Sequence, residues 1–439
     1  MRALVGWALL MFAAIGGLRN PRIALFGLIA CDYIRPQDGL DPRVFTGLEN
    51  VKFSMVLNAV ALLMLIVGFR KYPLKWESFH GGVLMLFMVV VSSAVFSFRP
   101  ALAWPRVYDY FLTMLQYVFI CAFVRDEKQL RSLYWAIALT VTIICTRYCY
   151  GKFALAEYGW EGPDGDRNNL AMLIVMVLPF LFVLGFTAKT WSARMLALVS
   201  IVPCALVVVF TLSRGGFLGL SAVGLYVLFR LHHKRWLIPL AIVAVMFGLS
   251  FVPPEFYARI MTVKTAAKTD ASSRGRINAW HAAIAMAQDR PLTGVGVGNF
   301  LVRFRRYAPD PDDVHVAHSS FFQILGDTGI PGAMTWVGLV VALFWFSART
   351  ERKIRIRERG AWTDDRYYIM AVKASLLGYV VCGAFLSQED YDYFYQLLAI
   401  AGRLAVFTAA KGKVAAKKPA AALPSGAGIA VRPAVVRTA

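Results

Sequence analysis

The sequence predicts an all-α, polytopic membrane protein, and three observations carry that expectation. Hydrophobic residues make up 58% of the 439 residues and charged residues only 17%. About a dozen apolar runs are long enough to cross a hydrocarbon layer of ~30 Å as helices. The net charge of +21 gathers in loops that alternate along the chain, as expected where basic segments stay on the cytoplasmic side.

The runs fall at 3–18, 22–34, 53–69, 81–98, 107–124, 132–150, 169–187, 193–212, 215–231, 236–252, 329–347, 367–387 and 393–409. The first two are short and read as a hairpin, a broken helix or a partly interfacial pair, so the expectation is 12 spans, or 13 if both cross. The first run has a one-arginine leading region and lacks a small-residue cleavage site, which marks an uncleaved span. All six cysteines lie inside apolar runs without a CxxC pair or a Cys/His cluster. They read as small core residues, with no metal site expected.

Basic clusters occur at Arg70/Lys71/Lys75, Arg125/Lys128/Arg131, Lys189/Arg194, Arg230/Lys234/Arg235 and Arg349–Arg366. They alternate with Glu157–Asp166, the Ser213-Arg214 turn, Pro253–Ala317 and Gln388–Asp392. The first set should be cytoplasmic and the second should face the opposite side. The chain then divides into membrane helices over 1–252, an external loop over 253–317, further membrane helices over 318–410, and a disordered basic cytoplasmic tail over 411–439.

Arg214 interrupts two adjacent apolar runs. Arginine at a bilayer centre costs roughly 2.5–3.5 kcal/mol on translocon scales, so a residue at that edge implies an anion, a carboxylate or a water-filled cavity. The external loop carries Arg259, Lys264, Lys268, Arg274, Arg276, Arg290, Arg303, Arg305 and Arg306, although it should lie on the side that disfavours cations. That excess implies an anionic ligand at the outer face, or a basic loop resting on lipid phosphates.

Within the loop, Ser272 or Ser273 could cap a helix whose apolar face is Ile277, Trp280, Ile284 and Ala287. Arg274 and Arg276 near its amino end would complete a phosphate-binding arrangement. Trp280 could cover the Arg276 stem or a sugar ring. The alternating glycines of Pro291–Phe300 do not meet G-x-G-x-x-G spacing, and no strand precedes them. A tight turn is expected there, one that could bring backbone N–H groups towards a pyrophosphate. His318, where the loop re-enters the membrane, is the best general-base candidate, because its ordinary pKa lies near 6.5.

Three segments together resemble the O-antigen ligase family, which includes O-antigen polymerases and bacterial protein O-glycosylation ligases. They are Leu212-Ser213-Arg214-Gly215-Gly216-Phe217-Leu218-Gly219; Gly275-Arg276-Ile277-Asn278-Ala279-Trp280 running into Pro291–Phe300; and Ala317-His318-Ser319-Ser320 through Gly332. The resemblance spans about residues 195–345. It implies a GT-C-like glycosyltransferase of the bacterial inner membrane with a periplasmic active site, acting in lipopolysaccharide maturation. The donor it implies is a glycan on undecaprenyl pyrophosphate, and the acceptor a sugar hydroxyl of lipid A–core.

Arg214, Arg276 and His318 match the family's membrane-edge arginine, loop arginine and loop-exit histidine. Ser319 stands where the family usually has Asn, and Asp327 where it usually has Glu, departures that bear on subfamily and acceptor. Arg274, Arg303, Arg305 and Arg306 are secondary phosphate candidates, and Asp390 could orient His318 or an acceptor sugar. Surrounding membrane lipids are the other partners. No cofactor and no nucleic-acid partner is expected. The rival readings are an O-antigen polymerase, a protein O-glycosylation ligase and, more distantly, a lipid or glycan transporter. A transporter should show inverted repeats and mid-membrane charges; no such repeat is evident.

Overall fold

The computed structural model describes residues 2–34, 53–76, 78–154, 166–230 and 271–417. The expected span at 236–252, loop residues 253–270 and the tail beyond 417 lie outside the described residues. Among the described residues every regular element is a helix. In order these are α1 (Arg2–Arg19), α2 (Pro21–Ile34), α3 (Phe53–Val67), α4 (His80–Val95), α5 (Pro100–Phe123), α6 (Glu127–Ala154) and α7 (Arg167–Thr187). Then follow α8 (Trp191–Phe210), α9 (Arg214–Arg230), α10 (Ala271–Asp289), α11 (Phe300–Tyr307), α12 (Ser320–Arg357), α13 (Asp364–Gly383) and α14 (Asp392–Lys417).

Five described helices are long and apolar enough to cross a membrane: α6, α7, α8, α12 and α14. Shorter apolar stretches occupy α1, α3 and α4. The first two runs form a hairpin, because Gly17 lies against Ala24 and Gly27 against Ala13. Large apolar side chains such as Phe12, Ile66, Met85 and Val199 point outward, a surface suited to lipid rather than water.

The centre of the bundle is α7, apolar on every side and 89% buried over its membrane-length window. A helix without a polar face is stable only when neighbours or lipid surround it, and α6, α8, α9 and α13 do so here. Small residues bring these axes close. A Cβ on Gly216 would come within 2.6 Å of the Ala171 Cβ, and one on Gly378 within 2.8 Å of Val175 Cγ1. Cys31, Cys121, Cys145, Cys204 and Cys382 are buried, as expected for core residues.

Polar contacts separate the two ends of the bundle. Lys411 pairs with Glu127 (2.7 Å) and Asp365 (2.8 Å), Arg357 with Asp365 (2.9 Å) and Arg131 with Asp364 (2.5 Å). This end therefore collects the turns read above as basic. At the other ends of α5, α7 and α12 lie Arg99, Asp166 and Ser319, together with the turn before α9.

Three expectations are corrected. The tail was expected to be disordered from 411, but α14 continues helical to Lys417, where alanines favour the helix and the Lys411 pairs anchor it. Helix α12 begins at Ser320, ahead of the apolar run read at 329–347 but close to the expected start of the C-terminal membrane helices at 318. It breaks at Gly329 (φ 71°, ψ −165°) ahead of Pro331. Finally, α10 buries Ala279, Ala282, Ala283, Met286 and Ala287, whereas Ile277 and Ile284 are about two-fifths exposed at 41% and 39%. The larger side chains lost the contest because α10 approaches α12 closely, and alanines permit that approach.

The glycine-rich turn fastens this arrangement. Val295 N–H donates to Gly326 O (2.9 Å), Gly296 N–H to Asp327 O (3.0 Å), and Val297 N–H to Ser93 Oγ (3.0 Å). Those N–H groups are used within the protein and are not turned to a pyrophosphate. Gly294 has φ 61°, and a Cβ there would lie 2.5 Å from Gly326 O. Gly294→Ala should cost about 2–3 kcal/mol through strain and overpacking. Thermal melts in detergent check this against Gly338→Ala, whose Cβ would meet nothing within 4 Å; a shared midpoint for the two variants would refute it.

Candidate functional site

The first component is the start of α9. Helix α8 ends at Phe210 and α9 begins at Arg214, across a turn in which Leu212 holds φ 53°. Ser213 Oγ accepts from Gly216 N–H (3.1 Å) and caps the new helix. Arg214 thus occupies the first helical position, where the positive end of the helix dipole adds to its own charge. Cations are usually disfavoured there, so the position suits an anion. The adjoining Gly215 faces Phe385, with its Cβ position 3.3 Å from that side chain.

Phe385 leads to the second component. Ser320 Oγ donates to Leu386 O (2.8 Å) and accepts from Gln388 N–H (3.0 Å), tying the start of α12 to the α13–α14 turn. Two residues earlier stands His318, in left-handed backbone at φ 45°. A non-glycine residue persists in that region only where its surroundings compel it. Here they do: Trp280 Nε1 donates to Ala317 O (2.9 Å), and Ala317 N–H donates to Gln323 Oε1 (3.3 Å). Both backbone groups of the residue before His318 are therefore occupied.

Trp280 also stacks on Phe322, with centroids 4.9 Å apart and planes 14° apart. It holds the histidine loop to α10, and one ring face is covered accordingly. Asn278 secures the same loop further upstream, donating to Asp310 O (2.8 Å) and accepting from Asp310 N–H (3.0 Å). Gly275 leaves room for the His315 ring against α10.

The charges acting on His318 come from three directions. Burial lowers its pKa below the ordinary value of 6.5, and Arg276 and His315 lower it further; Asp166, the N-cap of α7, opposes them. Arg276 and His318 are thus brought together, and burial and the arginine both favour the neutral imidazole. Among the described residues the helix carrying Arg276 runs Ala271–Asp289, so Ser272 and Ser273 are themselves helical.

The remaining candidates are dispersed. Arg274, Arg305 and Arg306 are exposed. Arg303 lies over the Phe98 ring at 3.4 Å, bracing the α4–α5 turn. Asp390 faces Arg106 (3.5 Å), and it is not among the charges that shift His318. Beside it Glu389 is buried, and burial together with Asp390 and Asp327 pushes its carboxyl well above the ordinary range. Trp336 and Tyr395 both donate to Glu389 O (3.1 and 3.0 Å), so these aromatics position the turn.

Residues 196–337 match the family model described as O-antigen ligase. That stretch of the chain is similar to the O-antigen ligase family. Members of that family are glycosyltransferase-like ligases or polymerases, and the match supports an enzyme in general. Residues 1–151 match a family of unknown function. No curated protein matches the chain. The O-antigen ligase match includes Arg214, Arg276 and His318, but ends before the Glu389-Asp390 turn.

Sequence reasoning overlooked Asp166, Gln323 and Arg106. Asp166 stood in an acidic external loop directly before an apolar run, the place of an N-cap. Arg106 bordered an apolar run as Arg214 does, and the same argument applies to it. Gln323 offered no signal, since only the fold brings its amide to Ala317.

Proposed function

We propose that this protein transfers a preassembled glycan from undecaprenyl pyrophosphate to a sugar hydroxyl of lipid A–core, at the periplasmic face of the bacterial inner membrane. The observation that carries this reading is the constrained His318, its pKa lowered by burial and by the charge of Arg276 beside it, at the same end of the bundle as the Arg214 helix start. His318 takes the acceptor hydroxyl proton as that oxygen attacks the anomeric carbon. The glycosyl–phosphate bond breaks, and its electron pair leaves on the pyrophosphate. Arg214 and Arg276 receive the charge that develops there. A single in-line displacement inverts the anomeric centre. Pyrophosphate is a good leaving group, so the step needs no metal.

The proposed architecture is a GT-C-like fold of about 12 spans, with residues 253–317 as the periplasmic catalytic loop and the carboxyl terminus cytoplasmic. The separation of the basic turns from the His318 end supports this orientation. Purified protein mixed with undecaprenyl-pyrophosphate glycan and lipid A–core, without added metal, should yield glycan-modified core, visible as a mass increase on the acceptor. Lengthening of glycan on the donor lipid would identify a polymerase instead, and product only on an added protein acceptor would identify a protein ligase.

A further inference from the structure

At the end of the bundle away from His318, a cavity of about 600 Å³ opens between the start of α4, the second half of α12 and the end of α14. Its lining is apolar at Phe79, Ala342, Phe346 and Ala405, and also includes Arg349, Lys353 and Arg357. Arg349 and Lys353 are one helical turn apart, so they share a face of α12. Arg357 is engaged with Thr408 O (2.7 Å) and with the Asp365 (2.9 Å) and Glu358 (2.7 Å) carboxylates. Among the described residues neither Arg349 nor Lys353 is ion-paired; Arg349 lies over the exposed Trp345 ring at 5.2 Å.

We infer that this cavity is a binding site for one anionic phospholipid, with an acyl chain against the apolar wall and the phosphate between Arg349 and Lys353. The argument is complementarity of two kinds within one space. A soluble phosphate would satisfy the cations and leave the apolar wall bare. A neutral lipid would fill the wall and leave two positive charges facing it. Tryptophan beside arginine and lysine at a helix end is also the composition of a membrane interface, where each cation strengthens attraction to anionic lipid. The site is independent of glycosyl transfer, since it lies at the far end of α12 from His318.

The test is native mass spectrometry of the full-length protein in detergent, titrated with phosphatidylglycerol or with phosphatidylcholine of the same acyl chains. One phosphatidylglycerol should be retained in preference to phosphatidylcholine. The Arg349→Gln/Lys353→Gln double variant should lower that retention about thirtyfold. Ala342→Trp, which fills the apolar part while keeping both cations, should also abolish it. Glycerol phosphate at millimolar concentration should not compete. Equal retention of the two lipids, full retention by either variant, or displacement by glycerol phosphate would overturn the proposal. Unchanged thermal midpoints in both variants separate loss of the site from loss of the fold.

Discussion

Replacing His318 by alanine should lower the turnover of glycan transfer by roughly 10²–10⁴-fold, the range for removing a general base. Donor binding should change little, because the anion-binding charges stay in place. The loss should not trace to misfolding, since the backbone there is held by Trp280, Gln323 and Ser320; alanine must still adopt φ 45°, a local strain that melting can register separately. In the wild type, pH supplies a second readout. A base acts in its neutral form, and burial, Arg276 and His315 place the His318 pKa below 6.5. Turnover should therefore rise with pH through an inflection below about 6.5 and be level on that limb at pH 7. Single-turnover transfer measured from pH 5 to 8 checks both claims. An inflection above 7, or an alanine variant with wild-type turnover, would remove His318 from the role of base.

The helical architecture and the candidate residues of this site were legible in the sequence, for identifiable reasons. Helices such as α7 and α8 announce themselves because a lipid-facing or bundle-facing segment must be apolar over its whole length. Arg214 and His318 stood out because charge near such segments is expensive. What sequence could not supply was competition between neighbours. Ile277 and Ile284 looked like the packing face of α10, yet alanines won it through close contact with α12. The glycines at 294, 296 and 298 suggested open N–H groups, but those of Val295, Gly296 and Val297 bond to Gly326, Asp327 and Ser93. Trp280 suggested a sugar platform, and its indole N–H proved to grip the carbonyl before His318. Each outcome depends on a partner far away in sequence, and period and composition carry no record of it.

The two arginines should then be separable by pH, although both should cost turnover. Removing either deletes a charge placed for the leaving pyrophosphate, an effect of about 10²–10³-fold by analogy with oxyanion donors. Arg276 also acts on His318, lowering its pKa, whereas Arg214 is not among the charges that shift it. Arg276→Gln should therefore reduce turnover and move the acidic inflection to higher pH, since one of the influences favouring neutral histidine is gone. Arg214→Gln should reduce turnover with the inflection unmoved. Lysine at either position should restore only part of the rate, because an ammonium cannot pair two phosphate oxygens as a guanidinium fork does. Parallel pH–rate profiles of the four variants provide the measurement. If Arg214→Gln shifted the inflection and Arg276→Gln did not, the assignment of Arg276 as the neighbour of the base would be wrong. If both shifted it equally, the two arginines would form a single electrostatic unit around His318, rather than a clamp at one side and a partner at the other.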